Sequence, residues 1–172
     1  MKAAKTYGDA QLPIFLLDDG SYMSQSQAIL KSLAVEHGYA CENAAVTYET
    51  EWFFSMLQDV FESPDRFAIM RDNATEEEQD KCIALLESIL DKLEARWSDD
   101  RTSVGKSEGK TAADFYMLGI ITSHYENANG KHEKIRNAAA AKLAACPNVQ
   151  RVIAPMKELC RATIEAIPAS SI

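Results

Sequence analysis

Gln11-Leu12-Pro13-Ile14-Phe15-Leu16-Leu17-Asp18-Asp19-Gly20-Ser21-Tyr22-Met23-Ser24-Gln25-Ser26-Gln27-Ala28-Ile29-Leu30-Lys31-Ser32-Leu33 is the stretch that decides how this chain folds. Leu12 to Leu17 is a short apolar run. Pro13 has no N–H to give a sheet, so it belongs at the first residue of a strand or on an edge. Asp18-Asp19-Gly20 is a turn signal, because aspartate bonds its own backbone and glycine supplies positive φ. Ser21 to Met23 reads as the return strand. Ser24 then reads as a helix N-cap, with Gln27 completing a capping box. Ala28, Ile29 and Leu33 follow at helical spacing. His37-Gly38-Tyr39 ends the helix, with glycine past its last periodic residue. The unit is strand, turn, strand, helix.

Beyond a linker to about Asn43, the periodicity is helical throughout. Residues 43 to 62 carry a wide apolar stripe built on Ala45, Tyr48, Trp52, Met56 and Val60, with Ala44, Phe53, Leu57 and Phe61 beside it. Pro64 breaks that helix. Thr75-Glu76-Glu77-Glu78 is a capping box with acids where the helix dipole favours them. Cys82, Leu86, Ile89, Leu93 and Trp97 continue at helical spacing, and the acidic face of this helix reads as solvated. Ser98 to Lys110 is polar and reads as a loop. Thr111-Ala112-Ala113-Asp114-Phe115 opens a further helix, Thr111 as N-cap and Asp114 as its N3 partner, running to about residue 126. Asn129-Gly130 is a turn and residues 131 to 145 are helical. Pro147-Asn148 opens a last helix with Val149, Val152, Ile153, Met156, Leu159, Cys160 and Ile164 as apolar positions, and Pro155 inside it is expected to kink it. Residues 1 to 10 read as a loop and the tail from Pro168 as loose.

Composition narrows the function classes. The chain has 172 residues, of which 47% are hydrophobic and 26% charged, as in ordinary globular domains. A net charge of −8 without a basic cluster argues against nucleic acid, whose phosphates need a basic face. No apolar run is long enough to cross a bilayer, so no membrane insertion is expected. The first residues lack the apolar core of a signal peptide. Cys41, Cys82, Cys146 and Cys160 are scattered, as are the three histidines. That spacing suits free thiols in a reducing cytoplasm, with no metal site.

Two segments resemble the cytosolic glutathione transferase family, of the alpha, mu, pi and sigma type. Gln11-Leu12-Pro13, Asp19-Gly20 and Gln25-Ser26-Gln27-Ala28-Ile29 follow the order and spacing of that family's glutathione-contact pattern. Thr111-Ala112-Ala113-Asp114-Phe115 is similar to the opening of its central buried helix. The resemblance implies a mainly α fold in two parts. Residues 1 to 38 would be a partial thioredoxin-like α/β domain, a β-hairpin plus a helix, and residues 43 to 172 an all-helical C-terminal domain.

The resemblance also implies a ligand and its contacts. Glutathione would be the substrate, held by Gln11, Leu12, Gln25 and Ser26. A cis peptide bond at Pro13 would turn the Leu12 backbone toward the cysteinyl backbone of glutathione. Ser26, at a helix N-terminus, would receive the γ-glutamyl carboxylate. Taken alone, Ser24 to Ser26 does no more than cap a helix. Lys2 would bind the glycyl carboxylate, or is an ordinary solvated lysine. Thr111 and Asp114 have a structural role. Trp52 and Phe53 would face a pocket for a hydrophobic electrophile or belong to the core.

The family's domain opens with a strand, a helix and a strand that residues 1 to 10 do not match. That segment carries the Tyr, Ser or Cys that helps the thiol become thiolate. The chain is therefore expected to lack it, and no residue is assigned as catalytic. Without that first strand the hairpin has an open edge. Two readings follow: a glutathione transferase, forming a homodimer, binding glutathione and, if the missing N-terminal segment exists, conjugating its thiolate to electrophiles, or a catalytically inactive subunit or scaffold docked to a partner chain at the open edge.

Overall fold

The computed structural model describes residues 13–166. Lys2, Gln11, Leu12 and the tail from Pro168 lie outside the described residues. The chain is mainly helical, with one two-stranded antiparallel sheet among the described residues. It divides into two compact units, Met1–Ala40 and Cys41–Ile172.

In the first unit, β1 (Ile14–Leu16) pairs with β2 (Tyr22–Ser24), matching Ile14 to Ser24, Phe15 to Met23 and Leu16 to Tyr22. The turn between them forms as its residues dictate. Asp19 Oδ1 accepts from the Ser21 N–H at 2.8 Å, and Gly20 takes φ 85°. Pro13 sits just ahead of β1, where its missing N–H breaks no ladder bond. Helix α1 (Ser26–Glu36) buries Ile29 and Ala34. It ends on Gly38 at φ 79°, with Tyr39 N–H donating to Ala34 O at 2.7 Å and Gly38 N–H to Val35 O at 3.4 Å. This is the paired closure of a Schellman motif, which needs a left-handed residue that glycine supplies without strain.

The second unit is built from α2 (Ala44–Phe61), α3 (Glu76–Arg96), α4 (Ala112–Ile120), α5 (Glu133–Ala144), α6 (Pro147–Leu159) and α7 (Arg161–Ala166). A 3-10 segment, Pro64–Met70, joins α2 to α3. Asn43 caps α2 by accepting from Ala45 N–H and Val46 N–H, and Thr75 and Glu78 close the capping box of α3. The core gathers Phe53, Phe54, Leu57, Leu90, Leu93, Trp97 and Met117. The acidic side of α3 is not simply solvated. Glu94 turns to α6 and accepts from Asn148 N–H at 3.1 Å and Val149 N–H at 3.0 Å, so one helix caps the next. Asp80 and Asp91 pair with Lys134 and Lys142 of α5.

The polar stretch 98–110 has no helix or strand, yet it is packed. Arg101, Ser103, Val104 and Gly105 are buried. Gly105 comes so close to α2 that a Cβ there would lie 3.0 Å from Val46 Cγ1 and 3.1 Å from Thr50 Oγ1. Three devices hold the loop. Asp114 accepts from Thr111 N–H at 2.7 Å and Thr111 Oγ1 at 3.0 Å through Oδ2, and from Val104 N–H at 2.8 Å through Oδ1. Arg101 donates to Asp99 at 2.7 Å and to Glu49 of α2 at 2.9 Å. Arg151 of α6 donates to the carbonyls of Trp97, Asp99 and Arg101.

Three sequence expectations are corrected here. Ser24 is the last residue of β2 rather than the N-cap, so no capping box with Gln27 forms. The helix opening at Thr111 changes to a π-helical turn, Ile121–Tyr125, before residue 126. The last helix stops at Leu159, a separate short helix α7 follows from Arg161, and Leu159 is exposed rather than part of the apolar face.

The Arg101 network makes acid sensitivity a test of the fold. Hydrogen bonds from Arg101 hold Asp99 below its ordinary value, against the opposing effect of burial. Burial pushes Glu49 up, but bonds from Arg101 and Arg96 outweigh it and leave it lowered. Depressed carboxylates add stability that is present above the unfolded values of 3.8 and 4.5 and fades as pH falls through the folded ones. Arg101→Met is expected to cost about 2 kcal/mol near neutral pH, less than a fully buried pair because both acids keep some solvent. Its stability should also fall less steeply than wild type below pH 4.5, measured by urea unfolding across pH. Asp114→Ala should cost about 2–4 kcal/mol in the same assay, combining a lost cap with a stranded Val104 N–H.

Candidate functional site

The start of α1 is built unusually. β2 runs out at Ser24, and the chain must turn sharply to enter the helix. Gln25 makes that turn at φ 71° and ψ 106°, in the left-handed half of backbone space and off its usual well. Such a conformation costs a non-glycine residue on the order of 1–3 kcal/mol and persists where the surrounding structure imposes it. Its carbonyl already accepts from Ile29 N–H at 3.0 Å, so it is the first helical acceptor. Its side chain makes no capping bond, and no acid lies in the first turn. Gln25 and Ser26 are both exposed.

This leaves a helix N-terminus whose N–H groups receive no cap from the Gln25 side chain, with a positive dipole end and a hydroxyl and an amide beside it. Those groups suit a carboxylate. Of the residues expected to hold glutathione, Gln25 and Ser26 are therefore brought together. Gln11, Leu12 and Lys2 fall outside the described residues.

The expected electrophile pocket residues part company. Phe53 is fully buried, its ring 5.8 Å from Phe54 and 6.2 Å from Trp97, which is a core position rather than a pocket wall. Trp52 is half-buried under the Arg96 guanidinium, 4.7 Å from its ring centroid. Thr111 and Asp114 sit in the cap that anchors the 98–110 loop.

A cleft of about 360 Å³ lies elsewhere in the helical unit. The end of α2, the 3-10 segment, the first half of α3 and the π-helical turn enclose it. Its walls are apolar except for Arg66 and His124. Tyr125, in the same turn as His124, donates to Leu86 O at 2.8 Å and so pins the turn to α3. A π-helical turn inside a helix re-aims side chains and is common at functional sites. Burial holds His124 below its ordinary value, with the Arg66 charge adding to the effect, so the imidazole is neutral at neutral pH. Burial pushes the Cys82 thiol in the same wall up to about 11, which leaves it protonated and unreactive. Among the described residues no three His, Cys, Asp or Glu side chains gather as a metal site, and no helix is long and apolar enough to cross a membrane.

No protein-family model matches the chain, and no curated protein matches it. The site residues therefore stand on their geometry.

Arg66 and His124 escaped sequence reasoning. The only signal for His124 was its spacing of four from Ile120 along an apolar helix face, which reads as core. Arg66 follows a helix-breaking proline and reads as surface. The backbone of Gln25 offers a direct check. Gln25→Gly removes the strain, against about 0.5–1 kcal/mol of added glycine flexibility. Amide hydrogen exchange in α1 should slow or stay unchanged, whereas faster exchange would mean the left-handed turn is not strained.

Proposed function

We propose that this chain binds glutathione as a protein of the glutathione transferase type. On this reading the first unit is a partial thioredoxin-like domain, and the helical unit is the all-α domain that accompanies it. The carrying observation is the strained, uncapped entry to α1. Gln25 and Ser26, the two residues whose motif position implies contact with a γ-glutamyl group, sit where a helix N-terminus offers N–H groups with no acid in its first turn. A non-glycine residue held at positive φ is more readily explained by a role than by packing, since a glycine would hold the same turn without strain.

Glutathione would lie with its γ-glutamyl carboxylate at Ser26 and its amide groups near Gln25. Gln11, Leu12 and Lys2 would complete the site. The thiolate would then attack a hydrophobic electrophile. No described residue is assigned to activate the thiol, so conjugation by this chain requires a donor not yet located. Free thiols at Cys41, Cys82, Cys146 and Cys160 support a reducing, cytoplasmic setting. A second reading, a docking subunit without activity, is favoured by the hairpin, where Phe15, Leu16, Leu17 and Tyr22 are all exposed.

Calorimetric titration separates the two. Glutathione should bind saturably at millimolar concentration, and cysteinylglycine, which lacks the γ-glutamyl group, should not. Ser26→Ala should weaken glutathione about tenfold or more, the loss of one hydrogen bond to a charged group. Absence of glutathione binding by the wild-type chain sinks the first reading and leaves the second.

A further inference from the structure

The cleft in the helical unit has the size and lining of a small-molecule site. Its volume of about 360 Å³ falls within the range of ligand pockets, and its walls are apolar with two polar groups. A dry cavity of about 150 Å³ takes up one benzene ring. More than twice that space fits two fused rings or a branched chain of similar bulk.

The two polar groups share one electrostatic sense. Arg66 is a permanent cation, its guanidinium carbon 4.4 Å from the centroid of the Phe67 ring that also lines the cleft. Both it and His124 line the cleft, and its charge acts on the His124 imidazole. His124 adds a neutral imidazole, and its Nδ1 is buried with no hydrogen-bond partner among the described residues. A buried nitrogen left unpaired is costly in a native structure and calls for an explanation. Asp65 acts on Cys82 from the same 3-10 segment but is not part of the lining. Thus a protein with a net charge of −8 presents here an apolar cleft with a cation and, among the described residues, no carboxylate in its wall.

We propose that this cleft binds a small apolar organic acid, its hydrocarbon body among Leu85, Leu86 and Ile89 and its carboxylate at Arg66 beside His124. The cleft lies wholly within the helical unit, so the inference does not depend on glutathione binding. Electrostatic complementarity selects the acid over an amine of the same shape, because an ammonium group would meet the Arg66 charge. The apolar walls supply the affinity and are indifferent to the sign of the head group.

Three probes of one shape separate these contributions: 2-naphthoate, 2-naphthamide and 2-naphthylmethylammonium, each titrated into the full chain by calorimetry at low ionic strength. Naphthoate is expected to bind saturably, the amide at least tenfold more weakly, and the amine not measurably. Arg66→Met should weaken naphthoate at least tenfold and leave the amide unchanged, which also shows that the variant is folded. Leu85→Trp, which fills the cleft from a half-buried wall position, should abolish binding of both, with an unchanged circular dichroism spectrum. Equal affinity for all three probes would overturn the proposal. So would naphthoate binding that survives both substitutions, or no saturable naphthoate binding by wild type.

Discussion

The Asp114 carboxylate is almost completely enclosed, and both of its oxygens are engaged. Removing a carboxylate from water is expensive unless each lone pair finds a donor. Here the donors come from two places: the first turn of α4 and the backbone of Val104 in the preceding loop. The same group therefore starts a buried helix and fixes a loop that has no regular structure of its own. Much of the helical unit follows from that pairing. With Val104 held, Gly105 can approach α2 closely, and Arg101 comes to lie between Asp99 and Glu49.

The loop is then closed from the far side by Arg151, which reaches three carbonyls of the 97–101 segment from α6. α6 is in turn capped by Glu94 of α3. Each helix thus satisfies an end of another, and few of these bonds are between sequence neighbours. Such a network is stable only as a whole, because removing one partner leaves the others buried and unpaired. It also explains how a polar, glycine-containing stretch can form part of a core.

Two departures from this pattern lie beside a helix entry and a cleft. At the entry to α1 the backbone is strained and the helix end has no side-chain cap. At the π-helical turn a buried imidazole nitrogen lacks a partner beside an apolar cleft. Places where a natural sequence departs from local rules are candidates for binding. The first is the place proposed for the carboxylate of a γ-glutamyl peptide and the second the place proposed for a smaller apolar acid. They lie in different units.

The sequence by itself determined the local structure. Asp19-Gly20 specified the hairpin turn, His37-Gly38 the end of α1, Thr75 and Glu78 the start of α3, and Thr111 with Asp114 the start of α4. Each is a short-range rule, satisfied within a few residues, and needs no knowledge of the rest of the chain. The backbone at Gln25 and Ser26 was not legible in this way, since Ser24 and Gln27 made a good capping box on paper. Only the tertiary structure decided what distant residues do to one another. It turned Glu94 from a solvated acid into a helix cap, buried Arg101 and Val104 in a stretch that reads as loop, placed Phe53 in the core, and set Arg66 and His124 on one cleft. These outcomes depend on which elements meet and in what register. Periodicity along a single helix identifies its apolar side but not the neighbour that will face it.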